Sequence, residues 1–208
     1  MVDVGTNLGS YTHSFARRGI ETYSFEPNKE TFRILCSGVH LNSLIFDGYA
    51  TVHLHNNGVT ARTGDWLSVA VDTEDNKADT SVSMDTHRTS GSSAGNVRSV
   101  ALDDVLNIPD GKSIGFIKID TQGFEPLVFA GGWATIKKHR PILGFEWWVD
   151  WMEDRTGMDP ADILVQLKAL GYSRLTLEEG KRQTLSEIDP HRESTRGIRD
   201  ALYIAVPW

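Results

Sequence analysis

The stretch Val2-Asp3-Val4-Gly5-Thr6-Asn7-Leu8-Gly9-Ser10, at the head of a 208-residue chain, decides the fold. Val2 and Val4 flank Asp3 as in a short strand, and Gly5 to Gly9 reads as a tight turn. A helix is predicted from there through Arg18, with Leu8, Tyr11, Phe15 and Ala16 on one face and Gly19 placed to end it. The two glycines let the backbone bend and approach a ligand, while the helix start offers unpaired N–H groups. A dinucleotide fingerprint reads G-x-G-x-x-G and seats a pyrophosphate. Here Asn7 stands between the glycines and an acid, Asp3, lies in the strand. That acid suits the cationic groups of a ligand better than a pyrophosphate. Taken alone, the turn is equally compatible with a purely structural role.

Working outward, a second strand over Glu21 to Phe25 ends at Glu26-Pro27, about 20 residues beyond the glycines, where Rossmann-like sheets place a ribose-binding acid. The plainer reading of Glu26 is a solvated strand end. A helix follows from Lys29 to about Ser37, its Phe32, Leu35, Cys36 and Val39 forming an apolar stripe, so Cys36 is expected in the core. Strands are predicted at Thr51 to His55 and Trp66 to Val71. Residues 72–99, rich in Ser, Thr, Asp, Asn and Gly, read as a polar insertion with almost nothing to bury, a lid or edge hairpin. Leu102 to Leu106 gives one or two helical turns, and Ile114 to Ile119 is an apolar run of the kind buried on both faces, broken only by Lys118. After Asp120-Thr-Gln-Gly-Phe-Glu125 a helix runs to about His139, Pro141 stops it, and a strand from Ile142 to Phe145 ends at Glu146. In the tail, Asp159 caps a helix with Pro160 at its first position and Gly171 as its stop. Late strands near Arg174 to Leu177 and Ala201 to Val206 are expected to pair as a hairpin. This alternation predicts one α/β domain over residues 1–208 with a mostly parallel, doubly wound sheet, completed by residues 147–208.

Composition narrows the function classes. The net charge of −7 argues against a nucleic-acid partner, and the basic groups Arg17-Arg18 and Lys137-Lys138-His139-Arg140 fall at predicted helix ends, where they complement the dipole. No apolar run approaches the ~20 residues of a membrane span, and no leader peptide is visible after Met1. One cysteine excludes an intrachain disulfide and fits a cytoplasmic location. A homo-oligomer remains open.

Asp120 ends a buried strand, on the sheet edge where open α/β folds bind ligands, and is the candidate general base. Glu146, ending the next strand, is expected to join it. Glu125 divides evenly between catalysis and favouring a helix N-terminus. The three carboxylates would suit Mg²⁺ or Ca²⁺ only if they converge. Among the seven histidines only His53 and His55 stand in an H-x-H spacing, no H-x-x-x-H or C-x-x-C pair accompanies it, and no metal is expected. His13 is read as solvent-exposed. The cluster Trp147-Trp148-Val-Asp-Trp151 divides evenly between an acceptor wall and core. No G-x-x-x-x-G-K-[ST] loop occurs.

The runs VDVGTNLGSYTHSFARRG, YSFEPNKETFRIL, VALDDVL, IGFIKIDTQGFEPLVFAGG and RPILGFEW, in this order, resemble the FkbM-type methyltransferase family from Val2 to about Trp147. The resemblance implies a class I, Rossmann-like sheet of seven strands with an antiparallel last strand. It also implies S-adenosyl-L-methionine as cofactor and O-methylation of a small-molecule or saccharide hydroxyl. Carried over, Asp3, Gly5, Thr6, Asn7, Gly9 and Ser10 would hold the methionine part, Glu26 the ribose, and Asn57 and Asp103 the adenine side. Asp120 would face the reacting centre, with Glu125 and Glu146 as its catalytic company. Two departures stand out: the family has an acid where Gln122 stands, and relatives carry extra residues before the first strand. A non-catalytic cofactor-binding module and, more remotely, an NAD-dependent oxidoreductase are the alternatives.

Overall fold

The computed structural model describes residues 1–71, 80–83, 93–176, 182–183 and 201–207. The chain forms two compact units, Met1–Ala101 and Leu102–Trp208.

The first unit opens with β1 (Val2–Val4), α1 (Ser10–Ala16), β2 (Thr22–Phe25), α2 (Lys29–Ile45) and β3 (Val52–His55). β1 pairs β2 in parallel, with Asp3 opposite Ser24, and β2 pairs β3 in parallel, with Phe25 opposite His55. Then come β4 (Gly58–Val59), β5 (Trp66–Val71), β6 (Thr80–Ser83) and β7 (Ser93–Val100), a second small sheet in the order β4-β7-β5-β6. The predicted polar insertion is therefore partly sheet. Residues 72–79 and 84–92 lie outside the described residues, but β7 pairs antiparallel with β5 and buries Val97 against Leu67 and Val69. Of the two alternatives, lid or edge hairpin, the described part takes the strand form, which polar composition allows because only alternate residues turn inward.

Two helix expectations change. The buried face of α1 is Thr12 and Ala16, whereas Leu8 and Tyr11 are exposed. A polar residue wins the inward position because the Thr12 hydroxyl lies 2.7 Å from both the Asp3 carboxylate and the Ser24 hydroxyl. α2 runs to Ile45, well past Ser37. Its interior Gly38 makes room for a neighbour: a Cβ there would lie 3.1 Å from the His13 ring.

The second unit contains α3 (Leu102–Val105), β8 (Phe116–Ile119), α4 (Glu125–Ala130), α5 (Trp133–His139), β9 (Ile142–Trp147), α6 (Val149–Thr156), α7 (Ala161–Ala169), β10 (Ser173–Thr176), β11 (Arg182–Gln183) and β12 (Ala201–Val206). Its strand order is β11-β10-β12-β9-β8. β8 and β9 are parallel, while β12, the last strand, runs antiparallel between β9 and β10. The expected late hairpin is thus β10 with β12, and the latter also continues the pairing of β9. The single helix predicted up to His139 is two, broken at Gly131-Gly132, where a Cβ on Gly132 would lie 3.2 Å from Leu102 Cδ1. α6 has no counterpart in the sequence reading, where Trp147-Trp148-Val-Asp-Trp151 divides only between acceptor wall and core. Asp159 caps the helix start as expected, its Oδ1 accepting from the Ala161 N–H at 2.8 Å.

The core of this unit is aromatic. Phe145 meets Phe129 and Trp147 edge to face at 5.3 and 6.0 Å, and all three are fully buried. The fold is mixed α/β and Rossmann-like, with mostly parallel strands and an antiparallel last strand.

Candidate functional site

In the first unit the turn after β1 is built on three left-handed residues, Gly5 (φ 74°), Asn7 (φ 53°) and Gly9 (φ 90°). Both Gly5 N–H and Thr6 N–H donate to the Phe25 carbonyl at 3.1 Å, which ties the turn to the end of β2. Asp3 is fully buried. Its Oδ2 accepts from the Thr12 N–H at 3.1 Å and the Thr12 hydroxyl at 2.7 Å, so the strand acid braces the first turn of α1 from below. The Thr6 hydroxyl returns to the Asp3 carbonyl at 2.9 Å. Gly9 leaves no room for a side chain: a Cβ would lie 2.6 Å from Leu35 Cδ1.

Glu26 joins this turn directly. Its Oε2 accepts from the Asn7 N–H at 2.8 Å and its Oε1 from the Asn28 N–H at 2.9 Å, with the residue only 4% exposed. The two strongest sequence signals, 19 residues apart, are one hydrogen-bonded assembly. Asn7 can keep a left-handed backbone because its N–H has a charged acceptor, which offsets a cost of roughly 1–2 kcal/mol.

Asn56, not singled out by sequence, donates from Nδ2 to the Glu26 carbonyl at 2.8 Å and the Pro27 carbonyl at 3.2 Å. Its signal was its place just past the end of β3. The neighbouring Asn57 donates to the Arg98 carbonyl at 3.0 Å. Ser10 is exposed on the outer side of α1, lining an open cavity of about 390 Å³ with Tyr11, Ser14, Phe15 and Arg18. None of the acids of the turn lines that cavity.

His13 is not the solvent-exposed residue expected. It is wedged half-buried against Gly9 and Gly38, and its Nδ1 lies 2.8 Å from the Tyr49 hydroxyl. Burial lowers its pKa, against the raising effects of a Leu8 backbone bond and the Asp3 charge.

In the second unit, Asp120 and Glu146 stand at the ends of the paired strands β8 and β9. Lys118, buried within β8, places Nζ 3.3 Å from Asp120 Oδ2, so this apolar strand's one charge is paired. The Gln122 amide nitrogen donates to Asp120 Oδ1 at 3.2 Å and to Glu146 Oε2 at 3.4 Å. These two acids are brought together. Glu125 does something else. It is 1% exposed, its Oε1 accepts from the Thr121 N–H (2.7 Å) and hydroxyl (2.9 Å), and its Oε2 accepts from the Gly123 N–H at 2.9 Å. Burial raises its pKa, outweighing these hydrogen bonds, and the Asp120 charge pushes the same way.

Asp103 is likewise engaged. Its carboxylate accepts from the Thr135 N–H at 2.7 Å and the Ala134 N–H at 3.1 Å, capping α5. The tryptophan cluster divides. Trp147 is core, whereas Trp148 and Trp151 stack at 3.8 Å and are only half-buried, with the Arg155 guanidinium 4.7 Å over the Trp151 ring. The Trp151 carbonyl and Arg155 crowd the turn so closely that a Cβ on Gly123 would lie 3.0 and 2.8 Å from them.

Among the described residues no group of three or more His, Cys, Asp or Glu side chains is arranged to hold a metal ion, and no helix is long and apolar enough to cross a membrane. The sequence matches the family described as the methyltransferase FkbM domain over residues 3–174. No curated protein matches it. The crystal structure of a methyltransferase FkbM from Methylobacillus flagellatus KT is similar in fold, with a TM-score of 0.58 at 16% identity, over 99% of this chain. The chain spans 42% of the length of that protein.

Proposed function

The chain belongs to the FkbM methyltransferase family, and from that premise we propose that it transfers a methyl group from S-adenosyl-L-methionine to a hydroxyl oxygen of a small molecule or saccharide. One observation carries the reading of the donor site: Glu26 is hydrogen-bonded into the same turn that Gly5, Asn7 and Gly9 shape. A buried carboxylate there matches the two hydroxyl donors of a ribose. With Asp3 beneath the turn, the local charge is negative. That suits an ammonium- and sulfonium-bearing ligand and disfavours a pyrophosphate.

When bound, the cofactor supplies an electrophilic methyl on a sulfonium. The turn from Asp3 to Ser10 would hold the methionine part, Glu26 the ribose and Asn57 the adenine side. The bound donor would let an acceptor oxygen take the methyl carbon, with sulfur keeping the electron pair of the broken bond. Positioning these atoms about 3 Å apart supplies much of the rate. Asp120 receives the hydroxyl proton, with Glu146 beside it. Glu125 serves this chemistry indirectly, by holding the turn that follows Asp120.

Calorimetry on the full chain with S-adenosylhomocysteine and, separately, with NAD tests the donor site. The expected result is binding of the first alone. Binding of NAD alone turns the reading to an oxidoreductase, and binding of neither turns it to a module without a working donor site. Asp120→Asn should retain S-adenosylhomocysteine affinity while consumption of the methyl donor, measured over a panel of hydroxylated acceptors, falls about 100-fold or more. Unchanged turnover removes Asp120 from the mechanism.

A further inference from the structure

The side chain of Gln122 sits where two acids meet. Like charges brought to one point either share a proton, recruit a cation or receive donors from a neutral group. The amide offers two N–H donors, and its nitrogen lies 3.2 Å from Asp120 Oδ1 and 3.4 Å from Glu146 Oε2. Its orientation is dictated by its neighbours, because ionised carboxylates only accept. The other oxygen of Asp120 faces the Lys118 ammonium at 3.3 Å. The row runs ammonium, carboxylate, amide, carboxylate.

The backbone beneath Gln122 is fixed independently of that row. Its neighbours on both sides, Thr121 and Gly123, give their N–H groups to Glu125, and Gln122 itself adopts φ 56°. A non-glycine residue in this left-handed region is strained and stays there only because its surroundings hold it. The turn is held by Glu125, and the amide it presents is left to bridge the acids.

We infer that Gln122 is a positioning residue whose amide takes the place of a cation between Asp120 and Glu146, keeping the two carboxylates together without a metal ion. Their catalytic use rests on the function proposed above; the bridge itself does not. Replacing the amide by a carboxylate exchanges the shared donor for a third negative charge. Three convergent carboxylates form a hard oxygen site suited to a divalent cation.

The probe is Mn²⁺, titrated by calorimetry into the full-length wild type, Gln122→Glu and Gln122→Glu/Glu146→Gln, each checked for folding by circular dichroism. The expected result is Mn²⁺ binding at least about tenfold tighter in Gln122→Glu than in wild type, lost again in the double variant. A second measurement needs no change at position 122. The Gln122 side-chain amide resonances should move in both Asp120→Asn and Glu146→Gln, while other glutamine amides stay in place. Wild type binding Mn²⁺ as tightly as Gln122→Glu, or Gln122 resonances that ignore both replacements, overturns the inference. S-adenosylhomocysteine binding, measured on the same samples, separates the two ideas. Its loss in wild type would sink the donor-site reading and leave the amide result standing.

Discussion

The turn after β1 and the turn after β8 solve one structural problem in two ways. Each follows a buried strand, each puts a non-glycine residue in the left-handed region (Asn7, φ 53°; Gln122, φ 56°), and a buried glutamate accepts from the backbone of each, from the Asn7 N–H in the first and the Thr121 and Gly123 N–H groups in the second. In the first, the glutamate comes from another strand, 19 residues away. In the second it is local, within four residues of the groups it holds. A long-range brace makes the turn depend on strand pairing, so the Asn7 turn exists only once β1 and β2 are aligned. A local brace lets the Gln122 turn form with its own helix start, leaving the amide to organise the acids. A braced turn of the first kind suits ligand backbone contacts, and one of the second kind suits side-chain chemistry.

The largest effects expected are at the glycines that crowd these turns. Gly9→Ala combines a left-handed φ with a Cβ 2.6 Å from Leu35 Cδ1. It should cost about 2–4 kcal/mol in urea unfolding. Gly123→Ala should cost a similar amount, but its Cβ meets the Trp151 backbone carbonyl as well as Arg155. Double-mutant cycles sharpen the contrast. Leu35→Ala should relieve part of the Gly9→Ala penalty, because the obstacle is a side chain. Arg155→Ala should leave most of the Gly123→Ala penalty in place, because a backbone oxygen remains. Full rescue in both cases would erase the distinction.

The braces themselves come next. Glu26→Ala removes the acceptor of the Asn7 N–H together with the proposed ribose contact, so S-adenosylhomocysteine affinity should fall about 10–100-fold by calorimetry. Unchanged affinity would confine Glu26 to holding the turn. Glu125→Gln should leave that affinity alone and act on stability, with a defined pH signature. Burial raises the Glu125 pKa in the folded chain, so the fold binds its proton more tightly than the unfolded chain does. The stability tied to that proton is fully present below the ordinary glutamate pKa and is lost as pH rises through the raised value. Urea unfolding over a pH series should show this decline in wild type and a flatter profile in Glu125→Gln. An identical slope in both would remove Glu125 as its source.

Most of the strands and the acids at their ends were legible in the sequence, because period-two alternation and glycine turns are local signals. Pairs were not. Glu26 could be placed at a strand end, but nothing in the chain order says that its carboxylate meets the Asn7 N–H. Thr12 carries no signal in the sequence and is the residue that Asp3 and Ser24 draw inward. The α4–α5 break was hidden in Gly131-Gly132, since two glycines in a helical pattern do not announce a neighbour such as Leu102. Gln122 read as a missing acid, and only the distances to Asp120 and Glu146 give its amide a task. What escaped was side-chain packing and long-range hydrogen bonding, which depend on the whole fold.

Asp103 gives the smallest effect and a clean separation of roles. By resemblance it belongs on the adenine side; by geometry its two oxygens accept from the Ala134 and Thr135 N–H groups at the start of α5, which has no cap of its own at Gly132. Losing such a cap costs about 1 kcal/mol. Asp103→Ala should therefore lower the unfolding midpoint by a few degrees, in keeping with a chain of this size. Asp103→Asn should recover part of the loss, because the amide oxygen can still accept one of the two bonds. S-adenosylhomocysteine affinity should stay within about twofold of wild type in both variants. A clear drop in affinity with an unchanged midpoint would reverse the assignment. The carboxylate would then be a ligand contact that happens to lie near a helix end.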